Sequence, residues 1–342
     1  MYMIPETMKA ICYYHYGSPE ELVIRDLPVP KPADHEILVK MCASSFSPAD
    51  AKSRNGWYRT MYEIEFPRIP SIEIGGTVVD MGKDVTGFQV GDKVIAFKDK
   101  RLGGALAEYC VVDASEACLA PKGVDLAPVC AIPGYALSAL QALTEEAGLQ
   151  SGQRVMLIGA AGGIGQLAVQ IAKGMGAYVI GCDTAESEAE LLELGADEFV
   201  AAGSGSLERY QSNKVDVIVS VIPIEESQLA EYLKIINPGG AYVSSVPLKN
   251  KVYSGPDYDG KRGLESLPLS KEMEQEYGVR CRWMTVKRGG ERLKKVVKLI
   301  EDGKLKPVIQ KTITMYDYKQ LNYDYEAGKI RGRYLVLIEG HI

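Results

Sequence analysis

Hydrophobic patterning changes character near Leu126. Before it, short apolar or alternating runs at 8–14, 22–25, 37–43, 76–79, 93–97 and 106–112 are separated by glycines and prolines. That spacing predicts antiparallel strands joined by short links. After it, a helical stretch over 136–146 leads into alternation: strand 154–158, helix 166–173, strand 178–182, helix 186–194, strand 198–201, strand 215–221, helix 225–236, a turn at Pro238-Gly239-Gly240 and strand 241–246. Such alternation predicts a doubly wound parallel α/β sheet. Residues 250–276 are polar and read as a loop with one helix, and 280–286 as the last strand of that sheet. The helix at 291–301 then places Leu293, Val296, Val297 and Ile300 on one face, followed by strand 308–314, helix 318–327 and strand 334–338. These are more elements than the parallel sheet needs. They are expected to return to the first domain, giving a discontinuous β-rich domain (1–125 plus 288–342) around a dinucleotide-binding domain (126–287).

The stretch 154–183 organises the rest. An apolar strand breaks into Ala160-Ala161-Gly162-Gly163-Ile164-Gly165, a helix follows, and the next strand closes on Asp183, 18 residues beyond Gly165. Strand, tight turn, helix and acid at the next strand tip are the context of a dinucleotide fingerprint. Ala160 stands where the pattern has its first glycine, which is tolerable if its φ stays negative. Gly162 lets backbone approach a pyrophosphate, Gly165 lets helix and strand pack closely, and the helix amino end faces the phosphates. The bland reading is a tight turn that binds nothing. Ligands of such sheets lie beyond the carboxyl ends of the strands, so Asp183 with Thr184, Val221 to Pro223, and Ser245 to Pro247 should line the cofactor crevice. A carboxylate at Asp183 accepts ribose hydroxyls and repels a 2′-phosphate, and Thr184-Ala185-Glu186-Ser187-Glu188 adds no base. NADH is therefore favoured over NADPH.

Composition narrows the class. The chain has 342 residues, a net charge of −6 and a pI near 5.4, which argues against nucleic-acid or anionic-membrane partners. No apolar run approaches a membrane span and the first residues lack a signal pattern, so a cytoplasmic enzyme is expected. Seven cysteines at irregular spacing, without C-x-x-C, form a poor disulfide framework. Three scattered histidines near no cysteine pair leave no local metal motif. Twenty tyrosines stand against five phenylalanines.

The chain resembles the medium-chain dehydrogenase/reductase superfamily, in its zinc-less quinone oxidoreductase and zeta-crystallin-like branch. The resemblance rests on Met8-Lys9-Ala10, on Ser47-Pro48-x-Asp50-x-Lys52-x-Arg54-x-Gly56-x-Tyr58, on Ile74-Gly75-Gly76 and on Gly87-Phe88-x-Val90-Gly91-Asp92-x-Val94. It continues through Gly104-Ala105-x-Ala107-Glu108-Tyr109, the 160–165 turn, Leu194-Gly195-Ala196-Asp197, Pro238-Gly239-Gly240 and Gly303-Lys304-Leu305-x-Pro307. It implies a Rossmann domain inserted in a discontinuous GroES-like catalytic domain, bound NAD(P)H and a homodimer. At the ligand positions of the zinc alcohol dehydrogenases the chain has Ser47, Ile72 before Glu73, and Pro133, which cannot replace thiolate and imidazole. No metal site is expected.

Without a Lewis acid, the remaining chemistry is hydride delivery to an already electrophilic carbon. The resemblance implies reduction of a quinone or of the C=C bond of an α,β-unsaturated carbonyl. Zinc-type alcohol oxidation and a non-catalytic NAD(P)H binder are the alternatives. The developing oxyanion needs a donor, and alkenal reductases similar to this chain carry a lysine and a tyrosine in this motif, which points to Lys52 and Tyr58. Ser47 and Asp50 in the same motif also read as a capping box opened by Pro48, with Asp50 pairing Arg54 at i,i+4. Lys52, on another face, reads equally as solvated. By family position Ser138 lies near the nicotinamide, or else bonds back to its own helix, and Arg333 reaches the cofactor phosphates, with Arg331 or a surface role as alternatives. Glu73 and Glu108 read as structural.

Overall fold

The computed structural model describes residues 3–59, 62–99, 101–203, 207–246 and 268–338, with 268–272 described by backbone alone. Its strands are β1 (Thr7–Cys12), β2 (Val23–Pro28), β3 (Glu36–Ser45), β4 (Glu73–Met81), β5 (Lys93–Phe97), β6 (Tyr109–Asp113), β7 (Ala117–Leu119), β8 (Arg154–Ile158), β9 (Tyr178–Asp183), β10 (Glu198–Ala201), β11 (Val215–Ser220), β12 (Ile236–Ser244), β13 (Arg280–Trp283), β14 (Lys311–Thr314) and β15 (Tyr334–Leu337). Its α-helices are α1 (Pro48–Arg54), α2 (Leu126–Val129), α3 (Pro133–Gln141), α4 (Gly163–Gly174), α5 (Glu188–Glu193), α6 (Glu226–Lys234), α7 (Pro268–Tyr277), α8 (Gly290–Glu301) and α9 (Tyr318–Glu326). The chain divides into two units. One comprises Met1–Gly134, Arg288–Asp302 and Pro307–Ile342, the other Tyr135–Lys287 and Gly303–Lys306.

The second unit is built on a parallel sheet in the order β10-β9-β8-β11-β12-β13. Strand order reverses after β8, which makes the edge between β8 and β11 the topological switch point of a Rossmann sheet. Its strands are apolar almost throughout because helices cover them: Met156, Ile158, Ile180, Ile218 and Tyr242 join Leu229 and Leu233 of α6 in one core. Two details differ from the sequence reading. The helix expected through Glu146 is α-helical to Gln141 and then widens into a π-type turn over Ala142–Glu146. The turn expected at Pro238–Gly240 lies inside β12, where pairing with β11 slips between Ile236↔Val215 and Ala241↔Val217. Proline cannot donate to the ladder, so the strand bulges there instead of ending.

The first unit carries a mixed sheet, β14-β15-β3-β4-β5-β7, with β6 also on β3, and a separate β1-β2 hairpin. Strand β3 runs ten residues at its centre, and Ile37, Val39 and Met41 alternate into a core with Ile74, Val94, Leu106 and Val336. Helix α1 leaves the end of β3, and that connection positions the chemistry of this unit.

Candidate functional site

In the parallel unit the turn after β8 is shaped for backbone approach. Gly159 takes φ +81, and a Cβ there would lie 2.6 Å from Ile222 Cγ2. Gly159 therefore does the turning that the sequence pattern assigned to position 160. Ala160 needs no positive φ and is fully buried. A Cβ on Gly165 would meet Gly159 O at 2.2 Å and Ala160 Cα at 2.6 Å, so α4 and the turn pack through a glycine. A Cβ on Gly162 finds only Gly159 O at 3.2 Å. Helix α4 starts from Gly162 in extended conformation, and no side chain caps it. The first-turn amides at Gly163, Ile164 and Gly165 thus lack a side-chain acceptor, which is the state an anion completes.

Asp183 faces this turn from the tip of β9. Its Oδ2 accepts the Ala161 amide at 2.9 Å and its Oδ1 the Thr184 amide at 2.8 Å. Each oxygen keeps a lone pair for a hydroxyl donor. Thr184 is exposed, and Glu186 and Glu188 after it are exposed acids. Val221 begins the segment after β11, with its amide on Ile158 O at 3.0 Å, and Ser245 follows β12 with its amide on Ser220 O at 3.2 Å. The Ser245 hydroxyl is buried and has no hydrogen-bond partner among the described residues. An orphaned hydroxyl past the carboxyl end of β12 and an uncapped helix start past that of β8 both fit a dinucleotide. Ser138 is buried on α3, and Pro247 lies outside the described residues.

In the mixed-sheet unit, α1 is held by its own first turn. Pro48 occupies N1, the Ala49 amide donates to Ser47 Oγ at 3.2 Å, and the Ser47 amide donates to Asp50 Oδ2 at 3.1 Å. This is the capping box read from sequence. Asp50 Oδ1 takes a second amide, that of Ser71, at 3.0 Å. Ser71 has φ +61, the one non-glycine among the described residues with positive φ. A strained residue held by a buried carboxylate fixes the chain before β4 against α1.

Between these segments lies a recess of about 30 Å3, lined by Tyr13, Asp50, Ser53, Tyr58, Tyr62 and Arg68 among others. That is room for about two waters. The Tyr58 and Tyr62 rings stack at 5.7 Å with planes 20° apart, and Trp57 meets Tyr58 edge-on at 4.8 Å. Burial raises the pKa of every phenol here, Tyr13 to about 12, and keeps Tyr58 a neutral donor, with Tyr62 and Asp50 adding to the shift. Desolvation also lifts Asp50 to about 6, against the pull of its two amides and of Arg68.

The remaining sequence candidates sit elsewhere. Lys52 carries its ammonium over the Trp57 ring, 5.2 Å from the centroid, and is not part of the recess wall. Asp50 does not pair with Arg54. The Arg54 guanidinium, 1% exposed, binds Glu326 at 2.5 Å and the Gly17 carbonyl, because a buried arginine needs several acceptors at once. Arg333 does not face outward toward phosphates. Its guanidinium, 3% exposed, donates to Ala131 O at 2.5 Å, Phe46 O at 2.9 Å and Ser45 Oγ at 2.6 Å, with Glu73 at 3.5 Å. Glu73 also takes the Gly134 amide at 3.0 Å, and burial holds its carboxyl above the ordinary range. Glu108 takes the Lys9 amide at 2.7 Å. Tyr13, Ser53, Tyr62 and Arg68 were not singled out from sequence. Only Tyr62 carried a signal, four residues after Tyr58.

The donor set does not fit zinc. Ser47 Oγ caps α1, Glu73 is engaged with Gly134 and Arg333, and among the described residues no three His, Cys, Asp or Glu side chains cluster. Thiolate and imidazole, which a zinc ion takes, are absent from these positions.

Comparison with known proteins agrees with both units. Residues 33–122 match the alcohol dehydrogenase GroES-like domain and residues 163–252 the zinc-binding dehydrogenase domain. A quinone-oxidoreductase homolog of the chloroplast from Spinacia oleracea is 32% identical over 90% of this chain and 91% of its own length. A 2-methylene-furan-3-one reductase from Solanum lycopersicum is 29% identical over 97% of this chain and 80% of its own. The solved quinone oxidoreductase from Coxiella burnetii superposes with a TM-score of 0.79 over 97% of this chain and 100% of that one at 22% identity, a likeness of fold. The chain belongs to the medium-chain dehydrogenase/reductase superfamily, among its quinone and enone oxidoreductases.

Proposed function

We propose that this protein is an NAD(P)H-dependent reductase of quinones or of the C=C bond of α,β-unsaturated carbonyls, that it favours NADH, and that Tyr58 meets the substrate oxygen. The observation that carries the reading is the phenol-walled recess beside α1, in a chain whose other unit has a nucleotide cradle. When bound, the reduced nicotinamide supplies a hydride. The uncapped amides of α4 would hold the pyrophosphate, Asp183 the ribose hydroxyls, and the Ser245 hydroxyl would gain a partner. As negative charge develops on the substrate oxygen, the Tyr58 hydroxyl donates to it; a buried phenol with a raised pKa donates without ionising beforehand.

The NADH preference is supported by charge. A 2′-phosphate would set negative charge against the Asp183 carboxylate and the exposed acids of Glu186 and Glu188, with no base in that segment. Cofactor oxidation with a panel of quinones and enones tests the reaction, and KM for NADH against NADPH tests the preference. Binding without turnover of any acceptor would sink the catalytic reading.

A further inference from the structure

Reducing an enone asks more of the protein than reducing a quinone. Hydride addition to a quinone leaves a hydroquinone anion, in which aromaticity spreads the charge. The same addition to an enone leaves a basic enolate that must receive a proton, and a donor that gives its proton away must recover it before the next turnover. Tyr58 is half-buried, so the route of that recovery is a structural question.

We propose that Tyr62, which shares the recess wall with Ser53, is the residue that relays protons to Tyr58, through water in the recess over Asp50. This rests on the reading of Tyr58 as the donor. The two rings stack at 5.7 Å with planes 20° apart, and both side chains line the recess, which has room for about two waters. Its wall carries the hydroxyls of Tyr13, Tyr62, Ser47 and Ser53 and the Asp50 carboxylate between the apolar surfaces of Ala49, Pro70 and Ile72. Those polar groups supply the two to four partners a held water needs. The Ser53 side chain shares the recess wall with Tyr13 and Tyr62 and acts on both phenols, pulling their pKa down against burial. Arg68, 6% exposed and anchored on Arg101 O at 2.6 Å, keeps a positive charge at the wall.

The step balances. The hydride forms the C–H bond at the β-carbon, the Tyr58 O–H breaks as its proton passes to the enolate oxygen, and the phenolate takes a proton from a recess water. That water is restored from the Tyr62 hydroxyl, and bulk solvent returns the proton to Tyr62. No oxidant or further reductant is needed.

The test compares Tyr62→Phe, which keeps the stack and deletes the hydroxyl, and Ser53→Ala, which leaves both rings. Each is assayed with one enone and one quinone as acceptors. The ratio of enone to quinone kcat should fall by about tenfold in Tyr62→Phe, a fraction of what a general acid contributes. It should move the same way, less far, in Ser53→Ala. The solvent deuterium isotope effect on enone kcat should rise in both, and KM for the reduced nucleotide should stay put. Equal losses with both acceptors, or no loss, overturn the relay. A wild-type protein that turns over neither acceptor overturns the functional reading, whereas one that reduces the quinone but no enone overturns the relay alone, so the two failures are distinguishable.

Discussion

The carboxylate of Asp183 accepts the amide of Ala161 at 2.9 Å, so the tip of β9 and the glycine turn after β8 are one hydrogen-bonded unit. On the proposed reading, the residue that would select the ribose also shapes the loop that would receive the pyrophosphate, so specificity and turn geometry would be coupled through one side chain.

That coupling predicts a separable pair of effects. Asp183→Asn keeps an acceptor for Ala161 and removes the charge, so NADH should bind about tenfold more weakly while Tm changes little. Asp183→Ala removes the acceptor as well and should cost a further 1–3 kcal/mol or so of stability. Isothermal titration with NADH and NADPH, beside thermal melts, checks both. A ratio of the two affinities unchanged in either variant would remove Asp183 from selectivity.

The two glycines of the turn should fail differently. Gly159→Ala forces an L side chain to φ +81 and against Ile222, so about 1–2 kcal/mol or more of stability should be lost. Gly162→Ala meets only Gly159 O at 3.2 Å and should melt close to wild type. Its methyl would stand where the phosphates approach, so nucleotide affinity should drop instead. Melting curves and Kd values that fail to separate the variants would contradict the assignment.

Arg333 and Glu73 are buried together, at 3% and 2% exposure. Arg333→Met should lose about 3–5 kcal/mol, because it strands a buried carboxyl and three acceptors. Adding Glu73→Met should restore part of that loss, since the stranded partner goes too. Urea unfolding of the two single variants and the double variant measures the coupling. Additive losses would show that the pair does not interact.

Asp50 makes stability depend on pH. Its folded pKa, about 6, lies above the 3.8 of the free group because burial penalises the charge. Between those values the folded state holds a proton the unfolded chain has released, so the contribution is complete below about pH 4 and is lost as pH rises through 6. It amounts to roughly 3 kcal/mol. Unfolding midpoints from pH 4 to 7 should show the wild type losing ground to Asp50→Asn as pH rises. A constant difference would show that Asp50 has no raised pKa.

What could be read in advance was whatever is decided over a few residues. The period-3.6 faces of α4 and α8, the apolar runs of β8, β9 and β11, the glycine turn and the Ser47–Asp50 capping box all followed from side chains three or four apart. The order of those elements, with strand and helix alternating after Leu126, already implied a parallel sheet. The bulge inside β12 did not follow, because Pro238-Gly239-Gly240 reads as a turn until β11 pairs on both sides of it.

Partner choice belonged to the tertiary structure. Nothing near Arg54 in sequence names Glu326, and nothing near Arg333 names Ser45, Phe46 and Ala131, so one arginine was assigned to a local acid and the other to phosphates. Lys52 lies on α1 as expected, yet its ammonium rests on Trp57 while Tyr13, far upstream in the chain, closes the recess. The sequence by itself determined the elements, their order and the nucleotide turn, because periodicity and capping act through contacts within one helical turn. Which charge meets which acceptor, and which phenols share a cavity, is settled when segments hundreds of residues apart exclude water together, and only folding brings those groups within reach.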